Sequence, residues 1–119
     1  MITMTTDIQK FAQEWINSWN SHNLNEILKH YSHTIEITTP MIRLAAGIER
    51  DSLRGKMALR DYWEQALNRI PDLHFELIEV TRGVNSIALY YKSVMSKKCI
   101  EVMFFDDDGK VDRMFAYYT

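Results

Sequence analysis

Glu101 is the residue of this chain best placed to do chemistry. It sits inside an apolar run, Cys99-Ile100-Glu101-Val102-Met103-Phe104-Phe105. A carboxyl group turned inward there loses hydration. Its pKa then rises, and it becomes a neutral donor or a poised acid/base. Turned outward, it is one half of an exposed cross-strand ion pair with Lys92, which adds little stability. Flat side chains surround this possibility. Trp15, Trp19, Tyr31, Tyr62 and Trp63 recur at helical spacing, as plain core or as one wall of a cavity. Met103, Met114, Ala116 and Tyr118 alternate along later segments and would form the facing wall. Such a lining suits a flat, apolar ligand, with methionines adapting to its shape.

Other chemistry-bearing types are less well arranged. Of His22, His30, His33 and His74, only His30 and His33 have chelating spacing. They straddle a helix end and a strand start, so no metal site is expected. Asp106-Asp107-Asp108-Gly109 lacks the alternating ligands and distal glutamate of a calcium loop and reads as a hairpin turn. Cys99 has no histidine beside it and reads as a structural thiol. Arg43, Arg50 and Arg54 either clamp an acidic ligand at a rim or lie on a solvated loop. No cofactor motif is present.

These residues need elements to position them. Ile8, Phe11, Ala12, Trp15 and Trp19 share one helix face, opened by Thr6 and Gln9 at capping-box spacing, and residues 1–6 are expected to fray. Leu24, Ile27, Leu28 and Tyr31 mark a short second helix after Asn23. Ile35 to Thr39 read as a strand ended by Pro40, and residues 41–54 as an irregular loop of the kind that covers sites. Leu59, Tyr62, Trp63, Ala66, Leu67 and Ile70 give a third helix from Gly55-Lys56, stopped by Pro71. Four strands follow, Leu73–Arg82, Ser86–Met95, Lys98–Asp106 and Lys110–Tyr118, as an antiparallel meander. A two-residue turn at Ser96-Lys97 would set Lys92 opposite Glu101 and Tyr90 opposite Met103. Leu89, Tyr91, Val102 and Phe104 would then share the other face, too apolar to stay wet, which predicts a homodimer through the outer sheet.

The bulk numbers set the class. At 119 residues, 46% hydrophobic and 25% charged, the chain reads as one globular domain spanning 1–119. A net charge of -2 without a basic cluster argues against nucleic acid. One cysteine, no charged leader and no long apolar run point to a cytoplasmic protein without a membrane partner.

The order of elements resembles the nuclear transport factor 2-like superfamily, in its SnoaL-like branch. The likeness rests on Trp19-Asn20-Ser21-His22-Asn23-Leu24, Tyr31, Thr39-Pro40, Leu53-Arg54-Gly55-Lys56 and Ala58 through Trp63. It continues through Pro71-Asp72-Leu73-His74-Phe75, Glu101 to Phe105 and Asp108-Gly109-Lys110-Val111. It implies an α+β cone, a curved mixed sheet wrapped around three helices, with a pocket inside and often a homodimer outside. It also implies that the Glu101 position faces the cavity. Ketosteroid isomerase is the relative best understood chemically. Its site pairs an aspartate base with an oxyanion hole made by a tyrosine and a neutral acid. The base would fall at Thr39, the tyrosine at Trp15 and the neutral acid at Glu101. Threonine cannot abstract a proton near neutral pH, so no isomerisation of 3-oxo-Δ5 steroids is expected. Binding of a small, mostly apolar molecule is the favoured reading. An isomerase, dehydratase or cyclase using Glu101 and a dimeric module without a working pocket are the alternatives.

Overall fold

The structure is a computed structural model and describes residues 7–119. The expected Thr6 cap and the frayed start lie outside those residues. Helix α1 runs Ile8–Asn20, and Asp7 caps it by accepting from Lys10 N at 3.0 Å. Its apolar stripe turns Ala12, Trp15, Ile16 and Trp19 inward. His22 then adopts a left-handed conformation (φ 60°), and Asn23 caps α2, Leu24–Leu28, by accepting from the N–H groups of Asn25 and Glu26. The two helices therefore turn sharply on one another with almost no connector.

Strand β1 spans Tyr31–Thr38, four residues longer at its start than the sequence predicts. Ser32 and Thr34 hide this beginning, because they are polar yet anchored: both hydroxyls donate to Asp112 Oδ1, at 2.7 and 2.9 Å. The stretch expected to be irregular holds two short elements. Helix α3, Met41–Ala46, starts after Pro40 and ends at Gly47, whose φ of 67° favours glycine. Strand β2, Ser52–Arg54, pairs antiparallel with β1. Neither is long enough to display a period. Helix α4, Lys56–Arg69, then follows the predicted pattern and buries Leu59 and Trp63.

The last four strands are β3 (Glu76–Gly83), β4 (Ser86–Lys92), β5 (Lys98–Phe105) and β6 (Val111–Tyr118). They form the expected antiparallel meander within a six-stranded sheet of order β2-β1-β6-β5-β4-β3. Only β1 and β6 run parallel, which makes the sheet mixed. Residues Leu73 to Phe75 stay out of β3 because α1 claims them. The Asn20 side-chain amide donates to Phe75 O at 2.9 Å and accepts from Phe75 N at 2.7 Å, as a neighbouring strand would. His22 Nε2 adds a 2.7 Å bond to Leu73 O.

The β4–β5 register departs from the expectation. The connection is a five-position turn, Ser93–Lys97, closed by Ser93 N donating to Lys97 O at 2.7 Å, with Val94–Ser96 in a 3-10 turn. Met95 and Ser96 both take left-handed backbone there. Glu101 consequently pairs with Leu89, not Lys92, and Met103 pairs with Ile87, not Tyr90. The offset is odd in residue count, so it exchanges the faces of β4. Leu89 and Tyr91 enter the core, whereas Val102 and Phe104 keep the outer side. The outer face also carries Ile78, Ile100 and Tyr117, and Arg113 lies over the rings of Phe104 and Phe115. One continuous core joins α1, α2, α4 and the inner sheet face. No helix among the described residues is long and apolar enough to cross a membrane.

Candidate functional site

Between the helices and the inner sheet face lies a cavity of about 130 Å³. Glu101 forms its floor from mid-β5, between Leu89 on β4 and Ala116 on β6. Trp15 and Trp19 of α1 form one wall, and Tyr62 and Trp63 of α4 another. Thr39, Met114 and Tyr118 line it from the ends and middle of β1 and β6. The exposed members Gln65 and Arg69 mark its open end, with Met41 and Val94 beside them.

Two expected wall residues lie behind the wall. Tyr31 is 1% exposed, accepts from Trp15 Nε1 at 2.8 Å and contacts Met114 Sδ at 3.8 Å. It holds Trp15 in place from the rear. Met103 is fully buried beneath the cavity between Ile87 and Met114. Two further wall residues, Phe75 and Tyr91, carry no sequence signal of that role. Their rings lie 4.8 Å apart and both pack on Trp15. The unexpected length of the β4–β5 turn hides Tyr91, and Phe75 reads as an ordinary strand residue.

Glu101 is 5% exposed. Its Oε1 accepts from the Tyr91 hydroxyl at 2.5 Å, while Oε2 has no partner. Lys92 is exposed and stands opposite Lys98 and Glu76, so it cannot serve as the expected charge partner. Burial pushes the carboxyl group up to about 7, against a smaller downward pull from the Tyr91 hydrogen bond. The acid thus holds its proton to a far higher pH than an exposed glutamate does. Its neighbours are held neutral by burial first and by a Glu101 charge second: Tyr62 up to about 12, Cys99 up to about 12, and Tyr118 further still. A single negative charge is all this cluster tolerates, and Glu101 is where it appears. Trp19 Nε1 is also buried and makes no close hydrogen bond, acting only weakly on the Tyr31 hydroxyl.

The remaining candidates lie elsewhere. Among the described residues no three His, Cys, Asp or Glu groups gather to hold a metal ion. His30 is buried against Phe11, and His33 lines a shallow outer depression with Arg54 and Asp112. Asp106 closes the acidic hairpin by accepting from the N–H groups of Asp108 and Lys110. Arg43 pairs with Asp51 and Arg54 with Glu36; neither they nor Arg50 reach the cavity, whose arginine is Arg69.

A mixed six-stranded sheet wrapped over helices is the fold of the nuclear transport factor 2-like, cystatin-like structures. Within it the chain belongs to the SnoaL-like domain family, which it matches over residues 12–114. It is similar to a SnoaL-like protein of unknown function from Burkholderia thailandensis, at 42% identity and a TM-score of 0.89, over 93% of this chain and 92% of that one. An NTF2-like protein of unknown function from Cytophaga hutchinsonii superposes with a TM-score of 0.74 at 12% identity, over 99% and 95% of the chains. A candidate polyketide cyclase from Streptomyces antibioticus gives 0.76 at 11% identity, over 95% and 92%. The last two likenesses carry the fold alone. No curated protein matches the chain.

Proposed function

We propose that this protein binds a small, mostly apolar molecule in the central cavity. The observation that carries the reading is one buried carboxyl group with an unmatched oxygen, set in an otherwise aromatic enclosure. A stable fold leaves such a group unpaired at a cost of about 1–3 kcal/mol, and a bound ligand removes that cost. Native mass spectrometry of the protein as purified tests the reading. An adduct that is displaced by a single-ring aromatic supports it. A bare protein that also shows no change in its side-chain NMR spectrum with such aromatics overturns it.

Catalysis on that ligand is the second reading. It is favoured by an acid poised at about 7, the position that serves both proton donation and removal. Glu101 is then the acid/base of an isomerase, dehydratase or cyclase type of reaction. Turnover that survives Glu101→Gln unchanged would remove that role. We also propose a cytoplasmic location, in which the free Cys99 thiol stays reduced. We further propose a homodimer through the outer sheet face. Its support is the exposure of Ile78, Ile100 and Tyr117 beside Val102, Phe104 and Phe115. Light scattering that returns a monomer at tens of micromolar, roughly the range of weak dimers, counts against it.

A further inference from the structure

The cavity is a box of rings with one acid in its floor. Trp19 meets Trp63 at 77°, Trp15 meets Tyr91 at 63°, and Trp15 meets Trp19 at 57°. Tyr62 and Tyr118 complete the enclosure. Walls set at such steep angles surround a compact, rounded group better than a single flat ring. Aromatic rings also carry a negative face, which attracts a cation within about 6 Å of the ring centre. The hydroxyls of Thr39, Tyr62, Ser93 and Tyr118 border the same space. Each can donate or accept, so they favour neither sign of charge. Glu101 does favour one. It is the single acid among the described lining residues, and its buried Oε2 has no partner. Arg69, the one cationic residue among them, is exposed at the open end.

We propose that the cavity takes a small organic cation with an alkylated nitrogen, a tertiary or quaternary ammonium, its charge set against Glu101 and its alkyl groups against the rings. The inference rests on the ligand-binding reading above and adds the ligand's chemistry. Such a molecule is apolar over most of its surface, because its charge is wrapped in carbon. A primary ammonium brings three N–H groups that each need an acceptor, and ring faces and aliphatic side chains supply few. Alkylation removes that need and keeps the attraction to the rings. The cation also supplies what the acid lacks. Burial raises the Glu101 pKa, and among the described residues only the Tyr91 hydrogen bond pulls it down. A bound positive charge therefore favours the ionised acid, and binding expels the proton. No other group facing Glu101 takes over that role. Tyr91 on β4, Cys99 on β5, Tyr118 on β6, Tyr31 on β1 and Tyr62 on α4 all have raised pKa values and stay protonated at neutral pH. Helix α1 presents only Trp15 and Trp19, neither of which titrates.

Choline and 3,3-dimethyl-1-butanol test this. They share one shape and differ in charge, and neither titrates near pH 7. Toluene serves as a neutral aromatic control. Cavities of about 150 Å³ are known to admit a benzene ring, and a trimethylammonium head has similar bulk. Affinities are measured by calorimetry at pH 6 and pH 8.5, in two buffers of different ionisation enthalpy. Choline is expected to bind tighter than the alcohol by roughly tenfold or more at pH 8.5. Its affinity should fall by up to about tenfold per pH unit below about 7, with close to one proton released per choline at pH 6. The alcohol should bind alike at both values. Glu101→Gln keeps the shape of the floor and should bring choline to within about threefold of the alcohol at either pH. Equal affinities of choline and the alcohol in the parent, or a choline preference that survives Glu101→Gln, overturn the proposal. Toluene bound while choline is refused overturns it too and leaves a binding cavity. Binding of none of the three overturns both readings.

Discussion

The cone buries a carboxyl group near one end of its sheet and an imidazole near the other, and the two ends treat them differently. Glu101 lies toward the end where β1 and β6 finish, beside a cavity. His30 lies at the end where the same strands begin, with its O accepting from Val111 N. Phe11 packs edge-on to both His30 and Phe105, at 5.5 and 5.2 Å. Each group leaves one buried atom unpaired, Glu101 Oε2 and His30 Nε2. Each is pushed toward neutrality, Glu101 up to about 7 and His30 down to about 4, with burial the leading cause in both. For His30, Lys29 and Lys110 add to the downward push, and Glu14 and Glu26 oppose it. The difference is space. The histidine is sealed among packed rings and serves as filling. The acid faces volume that nothing in the chain occupies. An unsatisfied polar atom points to function only where there is room for a partner.

Removing packing should expose this contrast most strongly. Phe105→Ala at the sealed end is expected to cost about 3–5 kcal/mol in urea unfolding. Ala116→Val beside Glu101 adds volume where there is room, and is expected to cost less than about 1 kcal/mol. Similar losses at both ends would erase the distinction between filled and open.

The acid end should next reveal itself through pH. Glu101 has a raised folded pKa, so its contribution is fully present below about 4.5 and is lost as pH rises through about 7. Glu101→Gln removes that loss. It is expected to stabilise the protein by about 3 kcal/mol at pH 8 and hardly at all at pH 4.5, at roughly 1.4 kcal/mol for each tenfold change in proton affinity. A variant less stable than the parent at pH 8 would mean that the ionised acid is well solvated.

His30 has the opposite sign. Its folded pKa is lowered, so stability is lost as pH falls from about 6.5 through about 4. Between pH 4.5 and 6.5 the two groups oppose one another, and the parent's stability should be nearly flat as far as they are concerned. His30→Phe should uncover the rise toward acid that Glu101 provides. Glu101→Gln should uncover the fall that His30 provides. Parallel pH profiles for the two variants would break the comparison.

The smallest effect is expected away from both ends. Arg113→Ala removes the guanidinium from the half-buried Phe104 and Phe115 rings and should cost about 0.5–1 kcal/mol by urea unfolding. A loss several times larger would show that this face is buried in solution.

Much of the cone is legible in the sequence, because α1, α4 and β3 to β6 are long enough for period and caps to register. The cavity is legible on its helix side for the same reason, with Trp15, Trp19, Tyr62 and Trp63 on regular faces. On the sheet side, legibility depends on a turn. Ser93 to Lys97 contains no glycine, yet Met95 and Ser96 adopt the backbone that glycine usually supplies. Without that signal the pattern favours a short hairpin, which puts Tyr91 and Lys92 on the wrong sides. Phe75 is unreadable for another reason. Its place is fixed by Asn20, which is 55 residues away in sequence.

That turn also bears on how this cavity is inherited. Point substitutions can drift through Ser93 to Lys97 while β4 and β5 keep their phase. Gain or loss of one codon is another matter. If the strands absorbed it by slipping one place, Ile100 or Val102 would face the cavity and Glu101 would face water. Lineages that vary the turn's length should therefore vary by pairs of residues, or lose the acid altogether.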